Sequence, residues 1–256
     1  MAPTWWRRLV AGRAHTTGYP TSANRASSFH LRWGGLPPAA ELVAAAVNVE
    51  VVESPTVDEL YFWALQVSFA GAGTGGHAGA HLGLQWHPAH PGATAVNWGG
   101  YAGGGELEGT DSPLPSATGN PNTRDFAWSP GRPYRLMVAP GERPGWWRGT
   151  VDATPVRELP GGGHRLTDLM VWSEVFARCE DPPVVVRWSA FEAVDASGRR
   201  HRPDRVTVSY QSGADGGCDN TDVVADGDGV LAVTNRVRTV APGTVLALGG
   251  QRVTSG

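Results

Sequence analysis

The stretch YFWALQVSFA, Tyr61–Ala70, constrains the fold more than any other part of the chain. Every second residue from Tyr61 to Phe69 is large and apolar: Tyr61, Trp63, Leu65, Val67, Phe69. A period of two means a strand with one face in a core. The intervening set, Phe62, Ala64, Gln66 and Ser68, is mixed. The same period recurs along the chain. Val47, Val49 and Val51 alternate with Asn48 and Glu50, and Tyr134, Leu136 and Val138 with Arg135 and Met137. Leu82, Leu84 and Trp86 alternate with His81, Gly83, Gln85 and His87.

Glycine and proline separate these runs, as in PAHPG (88–92), GTDSPLPSATGNPN (109–122) and DASG (195–198). The 35 glycines and 20 prolines are interleaved with apolar strands, so they read as turns and not as disorder. About nine to eleven strands and under about 10 % helix are expected, as an all-β, two-sheet antiparallel β-sandwich of jelly-roll or concanavalin-like type. Two segments are ambiguous. Pro37–Val52 has the alanines of a helix, but its second half alternates and reads as a strand over Ala46–Ser54. Leu166–Cys179 reads as a strand over Met170–Phe176, because Val171, Trp172, Val175 and Phe176 favour strands.

No repeat or linker divides the 256 residues, a length that suits one large all-β domain. Residues 1–28 lack periodicity and read as a loosely ordered N-terminal arm, with 29–256 as a single sandwich domain. Net charge is −3, so neither nucleic acid nor an anionic membrane is expected as a partner. All 21 basic residues are arginine, a bias that GC-rich codons produce without any phosphate-binding role. No apolar run reaches the length of a membrane span. Arg7-Arg8 precede only LVAG, too short for a signal-peptide core, so a cytoplasmic location is expected, with export left open. Cys179 and Cys218 belong to no zinc or nucleophile pattern. Each ends an apolar segment beside a turn, so they are expected close in space and able to pair if the protein is exported.

YFWALQVSFAG, HLGLQW and AVNWGGY, followed by GNPNTRDFAWSPGRPYRL and VWSEVFARCEDP, carry a resemblance. The sequence resembles an uncharacterised family of bacterial β-sandwich proteins known only as a domain of unknown function. The similarity covers about Phe29 to Leu248, most specifically His81–Trp86 and Trp172–Glu174. It implies a concanavalin-like or jelly-roll sandwich and brings no activity or catalytic residues. That fold hosts lectins, glycan-cleaving enzymes and structural modules alike.

Four groups of residues carry chemistry. His77, His81, His87 and His90 concentrate half of the eight histidines. His81 and His87, six positions apart on a strand, stand about 20 Å apart and cannot share one ion. The plainer reading is a solvated face and turn. The loop DGGCDNTDVVADGDG holds Asp215, Asp219, Asn220, Asp222, Asp226 and Asp228. Calcium is the cation such oxygens suit, with Asp222, Asp226 and Asp228 as its candidate ligands. The spacing is not that of an EF-hand, and DGDG is also a common turn. No other cofactor is expected.

Glu174 lies inside an apolar strand and is the candidate catalytic acid or base, with Glu192, Asp125 or Asp168 as second carboxylate. Its structural alternative is an ion pair with Arg178 or Arg187. Finally, His81, Gln85, His87 and Asn97, with Trp98, Tyr101, Trp146 and Trp147 as ring surfaces, compose a candidate ligand-binding face. Whether Asn97 shares that face depends on hairpin register. Most tryptophans, Trp63, Trp86 and Trp188 among them, are expected in the core. No GxSxG, P-loop, GxGxxG or HExxH pattern occurs. The leading functional reading is a module that binds a glycan or similar small polar ligand on a concave sheet face. The alternatives are an enzyme using Glu174, for glycan cleavage or small-molecule isomerisation or cyclisation, and a purely structural or interaction module.

Overall fold

The computed structural model describes residues 14–70 and 78–249. The strands are β1 (Ser27–Gly34), β2 (Leu42–Glu53), β3 (Tyr61–Ala70), β4 (Ala78–Trp86), β5 (Thr94–Ala102), β6 (Gly105–Glu106), β7 (Thr123–Asp125) and β8 (Pro133–Pro140). They continue with β9 (Trp147–Val151), β10 (Thr154–Leu159), β11 (Arg165–Val175), β12 (Val185–Asp195) and β13 (Arg200–His201). The last are β14 (Arg205–Tyr210), β15 (Asp222–Asp226), β16 (Gly229–Val233) and β17 (Val245–Ala247). Among the described residues the only helical pieces are two three-residue 3-10 turns, Pro91–Ala93 and Gly213–Asp215. The all-β expectation holds. The strand count exceeds it because several strands, such as β6 and β13, are too short to show a period.

All pairings are antiparallel, and they form two layers. The first runs β17–β14–β1–β11–β3–β4–β5, with β6 and β7 beyond β5. The second runs β15–β16–β12–β2–β8–β9–β10, with β13 beside the end of β12. A single pair, Leu166 with Leu42, joins them.

The core lies between the layers. The odd-numbered residues of β3 fill it, meeting Leu82, Leu84 and Trp98 from the same layer and Val47, Val49, Leu136 and Trp188 from the other. The alanines of Ala44–Ala46 do not start a helix. Strand β2 begins at Leu42, because β12 pairs along its length and β8 pairs Ala45–Glu50 on the other side, which satisfies the backbone of its middle. Strand β11 likewise extends to Arg165, beyond the expected Met170.

Of the expected N-terminal arm, residues 1–13 lie outside the described part. From residue 14 the chain is bonded to the body. His15 N–H donates to Asp219 at 2.8 Å, Gly18 N–H to Glu180 at 2.6 Å, and Thr21 N–H to the Gly216 carbonyl at 2.8 Å. Cys179 and Cys218 form a disulfide here, with Cα atoms 5.5 Å apart.

Candidate functional site

The face of the first layer turned away from the core carries a second set of buried side chains. On β3 these are Phe62 and Ala64, 5 % and 0 % exposed, and on β11 Met170 and Trp172. They form an apolar cluster separate from the core. An outer sheet face of a sandwich is ordinarily polar and wet, whereas here Phe62, Ala64, Met170 and Trp172 are all buried.

Register decides which polar groups join it. Phe62 pairs with Gln85 on one side and with Glu174 on the other. Gln85 and Glu174 therefore flank one phenyl ring on one face, with Cα atoms about 10 Å apart by strand spacing. Gln66 pairs with His81, and Gly83 with Asn97. The open question of the hairpin is thus settled: Asn97 faces the same way as His81 and Gln85. Tyr101 pairs with Gly79 on that face, is 40 % exposed, and lays its phenol over the glycine.

The rings lock together edge to face. Centroids lie 4.8 Å apart for Phe62 and Trp172, 5.6 Å for Phe62 and His81, and 5.8 Å for His81 and Trp172. Trp172 Nε1–H donates to Gln66 Oε1 at 2.8 Å. Burial pushes the His81 imidazole down to about 4, so the ring is neutral at ordinary pH. Burial, followed by the charge of Arg32, lowers His30, which stands on β1 opposite Trp172.

Glu174 is held by amide and hydroxyl groups, not by a cation. Asn24 Nδ2–H donates to Glu174 Oε1 at 3.0 Å, and Ser28 also bonds to the carboxylate. Burial raises its pKa and outweighs both bonds. The arginines considered as its partners are engaged elsewhere, Arg178 with Glu180 and Arg187 with Asp226 and Asp228. Its proposed second carboxylates are also committed: Asp168 to Arg32, Asp125 to His90, Glu192 to Arg135 and Arg200.

Of four side-chain amide oxygens buried without a hydrogen-bond partner among the described residues, three, Gln85 Oε1, Asn97 Oδ1 and Asn122 Oδ1, belong to this layer, and the fourth, Asn220 Oδ1, lies elsewhere. Asn97 Nδ2–H donates to Thr123 at 2.9 Å, and Asn122 Nδ2–H to Glu106 at 3.3 Å. Phe62, Gln66 and Asn122 are not candidates of the sequence, and Trp172 enters it only through the strand that carries Glu174. The mixed face of β3 hinted at the first two. Asn122 had no signal, because a long loop delivers it.

The other sequence candidates are placed elsewhere. Trp98 is a correction: it is fully buried on the core side, against Gly149 of the opposite layer, and cannot line the outer face. His87 lies past the end of β4 in the turn, its ring 4.7 Å from that of His90, and is not on the strand face with His81. His90 is buried and bonded to Asp125 at 2.6 Å. His77 lies outside the described residues. Trp147 is buried against Phe69, and the Arg143 guanidinium covers Trp146 at 3.4 Å.

The three metal candidates are not gathered. Asp222 is fully buried and accepts from Thr239 Oγ1 at 2.6 Å and from the Val240 N–H at 3.1 Å. Asp226 and Asp228 both bond Arg187, at 2.6 and 3.1 Å. Among the described residues no group of three or more His, Cys, Asp or Glu side chains is placed to hold a metal ion.

No protein-family model and no curated protein sequence matches this chain. Solved structures with a similar strand arrangement include a scytalido-glutamic peptidase bound to a peptide-based transition-state analogue. It is 11 % identical, with a TM-score of 0.46 over 81 % of this chain and 97 % of that one. A prokaryotic β-1,3-1,4-glucanase from a mouse hindgut metagenome is 9 % identical, with a TM-score of 0.33 over 81 % and 77 %. The Caenorhabditis elegans galectin LEC-6 is 9 % identical, with a TM-score of 0.32 over 63 % and 92 %. Likeness at this level transfers no activity and no ligand to this chain.

Proposed function

We propose that the outer face of the first layer binds a glycan or a similar small polyhydroxylated ligand and holds it without transforming it. One observation carries this reading: Gln85 Oε1, Asn97 Oδ1 and Asn122 Oδ1 are buried and unpartnered. Each such acceptor costs about 1–3 kcal/mol, a cost that a hydroxyl-bearing ligand relieves once the side chain turns outward to meet it. The exposed ring of Tyr101 supplies apolar surface on which a sugar ring could lie, with Phe62 and Trp172 buried behind the face.

The carboxylates favour binding over hydrolysis. Glycoside cleavage generally uses two carboxyl groups about 5–10 Å apart. Pairing through β11, β3, β4, β5 and β7 places Asp125 four strand spacings from Glu174, about 19 Å along the sheet. Asp168 lies six positions along β11, about 20 Å away, and is ion-paired. A second reading rests on Glu174 alone, whose burial-raised pKa suits a single general acid or base.

A glycan array probed with the full chain tests the first reading, followed by calorimetry on Gln85→Ala and Asn97→Ala. At least one glycan class is expected to bind, with affinity reduced tenfold or more in both variants. A blank array together with large stability losses in both variants leaves only a structural role. Turnover of a bound glycan that Glu174→Gln abolishes establishes the enzymatic reading instead.

A further inference from the structure

We infer that a groove on the outer face of the second layer binds a small sugar phosphate, with Arg135 and Arg202 on the phosphate and Asp228 on the sugar. The site lies on the other layer from the glycan-binding face and does not depend on that reading.

The groove encloses about 490 Å3, within the roughly 300–1,000 Å3 of small-ligand sites. Asn48 on β2 and Arg135 on β8 pair opposite each other and face outward into it, because Val47, Val49, Tyr134 and Leu136 fill the core. Arg202 follows β13, Asp228 sits in the turn between β15 and β16, and Pro203 and Leu248 add apolar wall.

A bulge in β12 builds the arginine end. Between Ser189 and Glu192 this strand has one residue more than β2 opposite it, and Ala190 takes φ 51°. Trp188 and Phe191 both lie in the core, so the alternation slips by one and Glu192 turns outward. Bulges re-aim side chains in this way beside functional sites. Glu192 Oε1 accepts from Arg135 Nη2 at 3.2 Å, and Oε2 accepts from Arg200 Nη1 at 3.4 Å. The Ala190 carbonyl accepts from Arg135 Nη1, and so does Asn48 Oδ1 at 3.5 Å. These bonds fix the Arg135 guanidinium and still leave it N–H groups to donate, since arginine has five. Arg202 makes no ion pair or side-chain hydrogen bond among the described residues and keeps its whole fork.

Charge selects the ligand. Three guanidiniums, those of Arg135, Arg200 and Arg202, surround the single carboxylate of Glu192, which leaves two positive charges over. Burial first, and then Arg200 and Arg202, lower the Arg135 pKa against the pull of Glu192. The guanidinium remains charged at any ordinary pH. A phosphate monoester carries about −1.5 to −2 at pH 7 and suits the arginine fork. A carboxylate or a sulfate ester brings a single charge and leaves the second cation uncompensated. The far end has the opposite sign. Arg187 is met by Asp226 at 2.6 Å and Asp228 at 3.1 Å, and Glu50 pairs opposite it. That end repels an anion, and the Asp228 oxygen not bonded to Arg187 accepts a sugar hydroxyl. The polarity of the groove therefore sets which way the ligand lies.

Calorimetry at pH 7.5 and low salt with the full chain tests this. The probes are glucose 6-phosphate, glucose 6-sulfate, glucuronate and inorganic phosphate. Glucose 6-phosphate is expected to bind at least tenfold more tightly than the other three. Arg202→Gln should lower its affinity tenfold or more. Arg199→Gln, which removes an equal charge in the turn before β13 and outside the groove, should change it less than twofold. Melting temperatures report whether both variants keep the fold. Equal losses in the two variants mean diffuse attraction and overturn the seat, as does full binding by a folded Arg202→Gln. Sulfate ester or glucuronate bound as tightly overturns the phosphate, and inorganic phosphate bound as tightly overturns the sugar. Binding of none of the four rejects the site.

Discussion

Burial drives His81 from its ordinary 6.5 down to about 4. The unfolded chain therefore takes up a proton that the folded protein refuses. Stability is full above about 6.5 and is lost as pH falls through about 4, by on the order of 3 kcal/mol. Urea unfolding of the parent and His81→Leu at pH 7.5 and pH 4 should show a steeper acid loss in the parent. Parallel losses would mean that the ring is wet. Glu174 titrates in the opposite sense, since burial raises its folded pKa. Its stabilising contribution is complete below the ordinary value of 4.5 and disappears as pH rises through the folded one. Glu174→Gln should match the parent in melting temperature near pH 4 and exceed it at pH 8. A variant less stable at pH 8 would show that the charged carboxylate has a partner stronger than Asn24 and Ser28.

Strand β12 carries an irregularity between Ser189 and Glu192 where it meets β2, with Ala190 at φ 51°. A left-handed alanine costs about 1 kcal/mol relative to glycine. Ala190→Gly should therefore be neutral or stabilising by up to about 1 kcal/mol, while Ala190→Val should destabilise. A clear loss in the glycine variant would assign the alanine methyl a packing role. The second element with a separable contribution is the strap from residue 14 to β1. The disulfide pins the segments it lies on: Cys179 N–H bonds to the Gly18 carbonyl, and Cys218 N–H to Ser27 Oγ. A loop of this length is worth roughly 4 kcal/mol in the chain-entropy account. Replacing both cysteines with alanine should lower unfolding stability by about that amount, read as a drop in urea midpoint with a somewhat larger m-value, since the uncross-linked unfolded chain exposes more surface. Because Asn24 rides on the strap and bonds Glu174, the double variant should also disturb the Glu174 end of β11.

Across the whole molecule, the two layers share one continuous core, and the outer face of the first layer has its own. No helix among the described residues is long and apolar enough to cross a membrane. The Cys179–Cys218 bond bears on where such a molecule is stable, since disulfides persist in oxidising compartments and are rare in a reducing cytosol. That bond and the expected cytoplasmic location pull in opposite directions. Protein isolated with its thiols blocked at lysis is expected to show no free thiol by titration under denaturant. Two free thiols per chain would restore the cytoplasmic expectation.

The sequence by itself determined the class of the fold and the inward face of most strands, because the alternation at Tyr61–Phe69 or Val47–Val51 is a local property of neighbouring side chains. It also marked His81, Gln85 and Glu174 as polar groups in apolar strands. It placed Trp98 on the wrong side of the site and His87 on a strand that had already ended. Periodicity is weak where a residue falls between a strand and its turn, or where both faces of a strand are buried. Strand β1 escaped notice although Phe29, Leu31 and Trp33 alternate, since its place between β11 and β14 comes from residues more than 130 positions away. Only the tertiary structure decided that Gln85 and Glu174 flank Phe62, that Asn97 joins His81, and that the loop brings Asn122 to Gly99. Register and loop closure are set by long-range pairing and by the burial of whole faces, and no local pattern of residues encodes which distant side chain will stand opposite.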